Sequence, residues 1–250
     1  MIKSYAYRRV ESTNSKALSL WIQRAARGEP PRPFLVAAEE QTGGRGHMGR
    51  QWPSPLGGIS CSLAWPLARP ASHYRGVTLA AALAVAEGLD KCLGFRCQIK
   101  WPGDLWVEGK KLGGLLCRMH DDERPPLMIL GLGLNGNFSS ARVARNRYNR
   151  PTTLMDEVGE PVDLKLVLFE VTIALEEALG HFDREGLEPI IPQVEMRLAL
   201  LKREVLLQGP GEVEIEGHFS GLDESGRALL EVNGELQALA AGDLRLPRRR

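Results

Sequence analysis

Gln41-Thr42-Gly43-Gly44-Arg45-Gly46-His47-Met48-Gly49-Arg50, followed directly by Gln51-Trp52-Pro53-Ser54-Pro55, is the stretch on which the reading of the fold turns. Its glycines let the backbone turn tightly and offer N–H groups to an anion, while Arg45 and Arg50 add fixed positive charge. Gly44, Gly46 and Gly49 satisfy Gly-x-Gly-x-x-Gly, but a dinucleotide fingerprint must open a helix within a βαβ unit. Pro53 and Pro55 exclude a helix interior there. A Walker A loop is excluded as well, because no Gly-Lys-Ser/Thr follows the glycines. The loop suits a phosphate, or an intermediate that bears one, held by neither of those two devices.

The chain around it has 250 residues, 43% hydrophobic and 25% charged, enough for one substantial domain and a smaller one. A formal net charge of +1 argues against nucleic acid as the main partner. The one basic run, Arg248-Arg249-Arg250, reads as a solvated terminus. Cys61, Cys92, Cys97 and Cys117 form no Cys-x-x-Cys pair and have no histidine at metal-ligand spacing, so they read as buried small hydrophobes, and no metal site is expected from protein ligands. Met1-Ile2-Lys3-Ser4-Tyr5 lacks an apolar leader and no stretch is long enough to span a bilayer. The expected setting is the reducing cytoplasm, away from membranes.

Upstream of the loop, Ser12-Thr13-Asn14 offers capping residues before a 3.6-period run of Leu18, Trp21, Ile22 and Ala25 that stops at Gly28 and Pro30, so a helix is expected there. Phe34 to Ala38 reads as a buried strand feeding the loop. Ile59, Cys61, Leu63 and Trp65 alternate with Ser60, Ser62 and Ala64, the pattern of a half-buried strand. Val77 to Leu89 is an Ala-rich helix for packing on a sheet. Strands are expected at Cys97 to Trp101, Leu112 to Arg118 and Leu127 to Leu134, with a turn at Glu108-Gly109 between the first two. Residues 137 to 152 read as loop. Asp163 caps a helix carrying Val167, Val171, Ala174, Ala178 and Phe182, and a second helix is expected over Ile190 to Leu201. After Lys202 short alternating runs take over, with Asn233-Gly234 as a hairpin signal. The expected architecture is therefore mixed α/β, a sheet flanked by helices over residues 1–202, with a small β-barrel over residues 203–250.

Two further glycine-rich segments carry candidate chemistry. Lys100-Trp101-Pro102-Gly103-Asp104 precedes Lys110-Lys111-Leu112-Gly113-Gly114-Leu115-Leu116. A lysine entering a strand beside a Gly-Gly pair can lie along a ligand that approaches the backbone closely, neutralising a carboxylate or phosphate, although a solvated strand-end lysine has the same local signature. Gly131-Leu132-Gly133-Leu134-Asn135-Gly136 again fits Gly-x-Gly-x-x-Gly, with Asp156 beyond, but the residues that follow lack the apolar face of a helix. Close approach of a ligand to glycine, with Asn135 as a hydrogen-bonding side chain, or a simple strand end, accounts for that segment.

Taken in order, Ser12-Thr13-Asn14, Gln41, the Gly-Arg-Gly-x-x-Gly-Arg loop at 44–50, Trp52, Lys-Trp-Pro-x-Asp at 100–104, Lys111-Leu112-x-Gly114 and Gly-x-Gly-x-Asn at 131–135 resemble the biotin protein ligase family. The segment with Gly221-Leu222-Asp223, Gly226 and Leu229-Leu230 is similar to the family's small C-terminal barrel. The resemblance covers most of the chain. It implies a class II synthetase-like fold and a ligase that joins biotin to ATP as biotinyl-5′-adenylate, then passes the biotinyl group to one lysine of a biotin carboxyl carrier domain.

By position, the resemblance implies that Ser12, Thr13, Asn14, Gln41, Gly44, Gly46 and Gly114 line the biotin pocket. Arg45 and His47 would lie against biotin and the adenylate. Lys111, with Arg45, would be catalytic, holding first the carboxylate and then the bridging phosphate. Arg50, Trp52, Asp104 and Asn135 would border the nucleotide. Mg2+ is expected on the triphosphate. The implied assembly is a monomer or homodimer, and with eleven residues before Ser12 no DNA-binding helix-turn-helix unit is expected. Two positions depart from the family pattern: His47 stands where an arginine is usual, and Gly103 where an asparagine is. A ligase for another acyl acid, such as lipoate or octanoate, or a binding protein without turnover, stays open beside the biotin ligase.

Overall fold

The structure is a computed structural model and describes residues 2–143, 150–209 and 213–247. Its main element is a seven-stranded mixed sheet built from β1 (Lys3–Val10), β2 (Phe34–Gln41), β3 (Ile59–Pro66), β4 (Gln98–Lys100), β5 (Asp104–Val107), β6 (Lys110–His120) and β7 (Leu127–Leu134). The order across the sheet is β1-β2-β3-β7-β6-β5-β4, with only the β1–β2 pair parallel. β1 has no hydrophobic alternation strong enough to mark it, because Lys3, Ser4, Arg8 and Arg9 dominate an exposed edge strand. β5 was equally hidden behind Pro102-Gly103. Its presence moves the Glu108-Gly109 turn, both residues at positive φ, to the β5–β6 hairpin.

Helices α1 (Thr13–Ala26) and α2 (Val77–Leu93) pack on the sheet, α4 (Leu164–Glu185) packs on α2, and α3 (Leu154–Val158) and α5 (Ile191–Glu195) are short. Ser12 caps α1 by accepting from Ser15 N, and Asp163 caps α4 by accepting from Lys165 N and Leu166 N. α1 packs on β2, β3 and β7, while α2 packs on β4, β5, β6 and α4. The core divides by strand period. Phe34, Val36, Ala64 and Ile129 face α1, and Leu35, Leu63, Leu130 and Leu132 belong to the larger core with α2 and α4. Both faces of β3 are therefore buried, including Ser60 and Ser62, where the sequence reads as half-buried.

The helix expected over Ile190 to Leu201 is much shorter. A 3-10 turn at Glu188–Ile190 leads into α5, and the chain then runs beside β4: Ile99 N donates to Arg197 O and Ala199 N donates to Ile99 O. Satisfying the edge-strand peptide groups of Ile99 outcompetes a continued helix. In the 137–152 segment Ser140–Arg142 forms one 3-10 turn, and residues 144–149 lie outside the described residues, as does the basic run at 248–250.

A second, antiparallel sheet follows: β8 (Glu204–Gln208), β9 (Glu214–Leu222), β10 (Ala228–Val232), β11 (Glu235–Leu239) and β12 (Asp243–Arg245), in the order β11-β10-β9-β8-β12. Asn233 and Gly234, both at positive φ, form the β10–β11 hairpin turn. Among the described residues the edge strands β11 and β12 do not pair, so this is an open sheet and not the closed barrel expected from the sequence. Closure needs strands long enough to meet with a consistent stagger, and β12 has three residues bonded only to β8. The sheet is tied to the rest by Trp101 Nε1 donating to Gly226 O at 2.9 Å and by Leu222 N donating to Glu195 Oε1 at 2.9 Å.

Candidate active site

α1 leaves part of its sheet face uncovered, and a cavity of about 470 Å3 opens there between the N-terminus of α1, the 41–53 loop, and strands β6 and β7. One end is neutral. Gln41 Oε1, at the end of β2, accepts from Thr13 N at 2.8 Å and Thr13 Oγ1 at 3.0 Å, while Gln41 Nε2 donates to Ser54 Oγ at 2.8 Å. Ser62 Oγ, fully buried on β3, lies 2.7 Å from Thr13 Oγ1 and 2.6 Å from Asn14 Oδ1. Asn14 Nδ2 is buried with no hydrogen-bond partner, and an acceptor that reached it would recover a desolvation cost of about 1–3 kcal/mol. Gly131 is required beside it, since a Cβ there would collide with the Asn14 amide.

The other end is charged. Lys111 Nζ donates to Asp104 Oδ1 at 2.6 Å and sits 5.5 Å from the centre of the Trp52 ring. Asp104 Oδ2 is 3.7 Å from Lys100 Nζ, and Lys100 also pairs with Asp243 of the second sheet. Asp243 Oδ2 in turn takes Arg50 Nη1 at 3.0 Å and Arg245 Nη2 at 3.0 Å. Burial alone would raise the Asp243 carboxyl, but Lys100, Arg245 and Arg50 hold it well below the usual carboxylate range. Carboxylates and cations thus alternate from Lys111 to Arg50, with cations in excess.

The glycine loop is partly closed on itself. Gly46 N donates to Arg50 O at 2.7 Å, Arg50 N to His47 O at 3.3 Å and Trp52 N to Gly44 O at 3.0 Å. Those three amides are engaged within the loop, and Arg45 and Arg50 supply its fixed positive charge. His47 faces both this cavity and an adjoining one of about 740 Å3, which runs from Arg50 and Asp104 along the 101–104 turn to the second sheet. Burial and then Arg50 push the His47 imidazole below its ordinary value, with Asp243 and Asp104 pulling the other way. At Gly103 a Cβ would lie 2.6 Å from Thr78 Cγ2 on α2, so a larger residue does not fit while Thr78 is in place. Asp104 is held there by Lys111 and Lys100 without help from position 103.

Of the residues singled out in the sequence, Ser12, Thr13, Asn14, Gln41, Arg45, Gly46, His47, Arg50, Trp52, Asp104, Lys111 and Gly114 line the first cavity. Gly44 and Asn135 do not. Gly44 is buried because the loop folds back on it, with Trp52 O where its Cβ would be. Asn135 is 3% exposed, and its Nδ2 donates to Thr152 O at 2.8 Å. It clamps the 150–152 segment, whose Arg150 O and Thr152 N bond the Lys111 backbone, so Asn135 supports Lys111 from beneath. Gly131 and Gly133 also line this cavity, and each leaves room for a side chain of the site: Gly133 for the Trp52 indole, as Gly131 does for Asn14. Ser54, Ser62, Lys100 and Asp243 are site residues that local reading did not assign. Ser62 was detectable as a polar residue in a buried strand, and Lys100 as the first residue of Lys-Trp-Pro. Asp243 has no local signal. Burial pushes the Cys61, Cys97 and Cys117 thiols up to about 12, in keeping with inert packing.

Among the described residues no three His, Cys, Asp or Glu side chains converge to hold a metal ion. No helix there is long and apolar enough to cross a membrane.

Residues 6–135 match the biotin/lipoate A/B protein ligase family. The bifunctional ligase/repressor BirA of Bacillus subtilis (strain 168) is 30% identical over 226 residues, covering 88% of this chain and 68% of that protein. The biotin–[acetyl-CoA-carboxylase] ligase of Paracoccus denitrificans is 29% identical over 241 residues, 94% of this chain and 97% of that one. Among solved structures, the biotin protein ligase from Aquifex aeolicus in complex with biotin and ATP superposes with a TM-score of 0.82 at 28% identity, covering 100% of both chains. The chain belongs to the biotin/lipoate A/B protein ligase family.

Proposed function

We propose that this ligase condenses biotin with ATP to biotinyl-5′-adenylate and transfers the biotinyl group to a lysine of a biotin carboxyl carrier domain. The observation that carries the reading is the two-ended cavity, with its buried, unpartnered Asn14 Nδ2 among hydroxyls at one end, Lys111 and Arg50 at the other, and Arg45 also on its lining. A cyclic urea carbonyl is an uncharged acceptor that suits the first end, and a carboxylate meeting a triphosphate suits the second. The Aquifex aeolicus relative, aligned over the whole chain, holds that pair of ligands.

In the first step a biotin carboxylate oxygen attacks the α-phosphorus and pyrophosphate leaves. Two anions must approach each other, and Lys111, Arg45 and Arg50 lower their repulsion from preset positions. Lys111 can pass from Asp104 to the biotin carboxylate and then to a non-bridging oxygen of the adenylate phosphate, since each carries negative charge that a flexible ammonium can follow. In the second step the acceptor lysine amine attacks the acyl carbon and AMP departs. No nucleophile from the enzyme is required. Asp104 and Asp243 are already matched to lysine and arginine, so magnesium enters as the counter-ion of the triphosphate substrate.

The test is pyrophosphate release from ATP with biotin, lipoate or octanoate in separate reactions, each with and without a carrier domain. Biotin-dependent release and labelling of the carrier lysine are expected. Release with lipoate or octanoate alone would move the chain to another acyl acid, and binding without release would make it a non-catalytic relative.

A further inference from the structure

Asp243 is an expensive residue for its place in the fold. It opens a three-residue edge strand and is 6% exposed, and a buried carboxylate costs several kcal/mol unless it is paired. It collects cations from three separate elements: Lys100 from β4, Arg245 from its own strand and Arg50 from the end of the glycine loop. Sheet pairing of β12 with β8 uses backbone only and needs none of them. Arg50 is the partner with a second duty, because it lines both cavities, and its Nε reaches back to His47 O at 3.2 Å. Its side chain is 52% exposed, so apart from that carbonyl the carboxylate is what aims it.

We propose that Asp243 is a positioning residue for the nucleotide, acting through Arg50: the second sheet presets the cation at the end of the glycine loop that receives the triphosphate. The inference rests on the reading of the charged end as the ATP side. Arg50 and Asp243 are separated by 193 residues, and of the two cations that Asp243 draws from outside its own sheet, Lys100 and Arg50, Arg50 is the one on the glycine loop.

The experiment is calorimetric titration of ATP and, separately, biotin into the full chain and its variants. It needs no turnover, so an inactive enzyme that still binds both ligands would count against the proposed reaction and not against this inference. Asp243→Asn is expected to weaken ATP binding about tenfold, the loss of one charge-assisted hydrogen bond, and to change biotin binding by less than about twofold. In an Arg50→Gln background, Asp243→Asn should add less than about twofold for ATP, because the two act as one unit. Asp243→Glu, which keeps a charge for Lys100 but displaces it from Arg50, carries the same cycle if the asparagine variant does not fold. Unchanged ATP affinity, equal losses for ATP and biotin, or losses that multiply in the double variant would each overturn the proposal.

Discussion

The two ends of the active-site cavity are held ready by different means. At the neutral end Ser62, Thr13, Gln41 and Ser54 bond one another through short dipolar contacts, and the Asn14 amide N–H is the buried group without a partner. At the other end Lys111, Lys100 and Arg50 are each engaged by a carboxylate. An uncharged ring can dock on the first end without displacing a protein contact. An anion entering the second must draw Lys111 from Asp104 and share Arg50 with Asp243. The lesson is that one end is preorganised by hydrogen bonds among its own side chains, and the other by balancing its charges, with Asp104 giving way to the substrate while Asp243 stays on Arg50.

The comparison breaks most completely at Lys111. Lys111→Ala removes a cation placed against charge that changes during reaction, and should cost about 100- to 1,000-fold in adenylate formation while the protein stays folded. Pre-steady-state adenylate formation and circular dichroism check the two halves of that expectation. Normal turnover by the folded variant would show that the carboxylate is held elsewhere.

The next effect is structural. Gly103→Asn overpacks against Thr78 and should lower stability by about 1–3 kcal/mol, and Thr78→Ser, which deletes the colliding methyl, should return most of the loss. Chemical denaturation of the two single variants and the double variant measures the coupling; simple additivity would mean that helix α2 yields freely at this point.

At the neutral end, Ser62→Ala deletes the hydroxyl that touches both Thr13 and Asn14 and should weaken biotin binding about tenfold, with ATP binding nearly unchanged. Equal loss for both ligands in paired titrations would mean that the two ends are not independent.

The smallest expected effect belongs to His47. With its pKa pushed below 6.5 by burial and Arg50, against the opposing pull of Asp243 and Asp104, the imidazole is neutral at neutral and alkaline pH in the free protein. An anion that bound beside it would raise that pKa in the complex, so ATP affinity should rise as pH falls from about 8 toward about 6 and level off only below the lowered pKa of the free protein. His47→Arg should flatten the profile and tighten binding a few-fold at the alkaline end. Superimposable pH profiles for the two proteins would take His47 out of the anion site.

Much of this was legible in local chemistry. Ser12 and Asp163 announce the helices they cap, because a capping side chain and the amides it serves are neighbours in sequence. Asn233-Gly234 announces its hairpin for the same reason. The ordered motifs around Gln41, Arg45, Trp52, Asp104 and Lys111 identify the cavity's lining, since each sits where a strand ends or a loop turns. Where expectations failed, long-range pairing had intervened. The helix over Ile190 to Leu201 gave way to the peptide groups of Ile99, and the barrel stayed open because β11 and β12 had no reason in space to meet.

The amino-acid sequence alone determined most of the element types, though not β1, β5 or the run from Ile190 to Leu201, together with the glycine loop that no dinucleotide or Walker reading could explain and the cluster of residues that carries the family resemblance. Only the tertiary structure decided that Ser62 joins Thr13 and Asn14, that Gly131 and Gly133 leave room for Asn14 and Trp52, and that Asn135 works beneath Lys111. It alone brought Asp243 to Arg50 and Lys100. A period of two tells which residues share a face of a strand but not what covers that face, and a buried charge chooses its partners by distance in space, on which separation along the chain has no bearing.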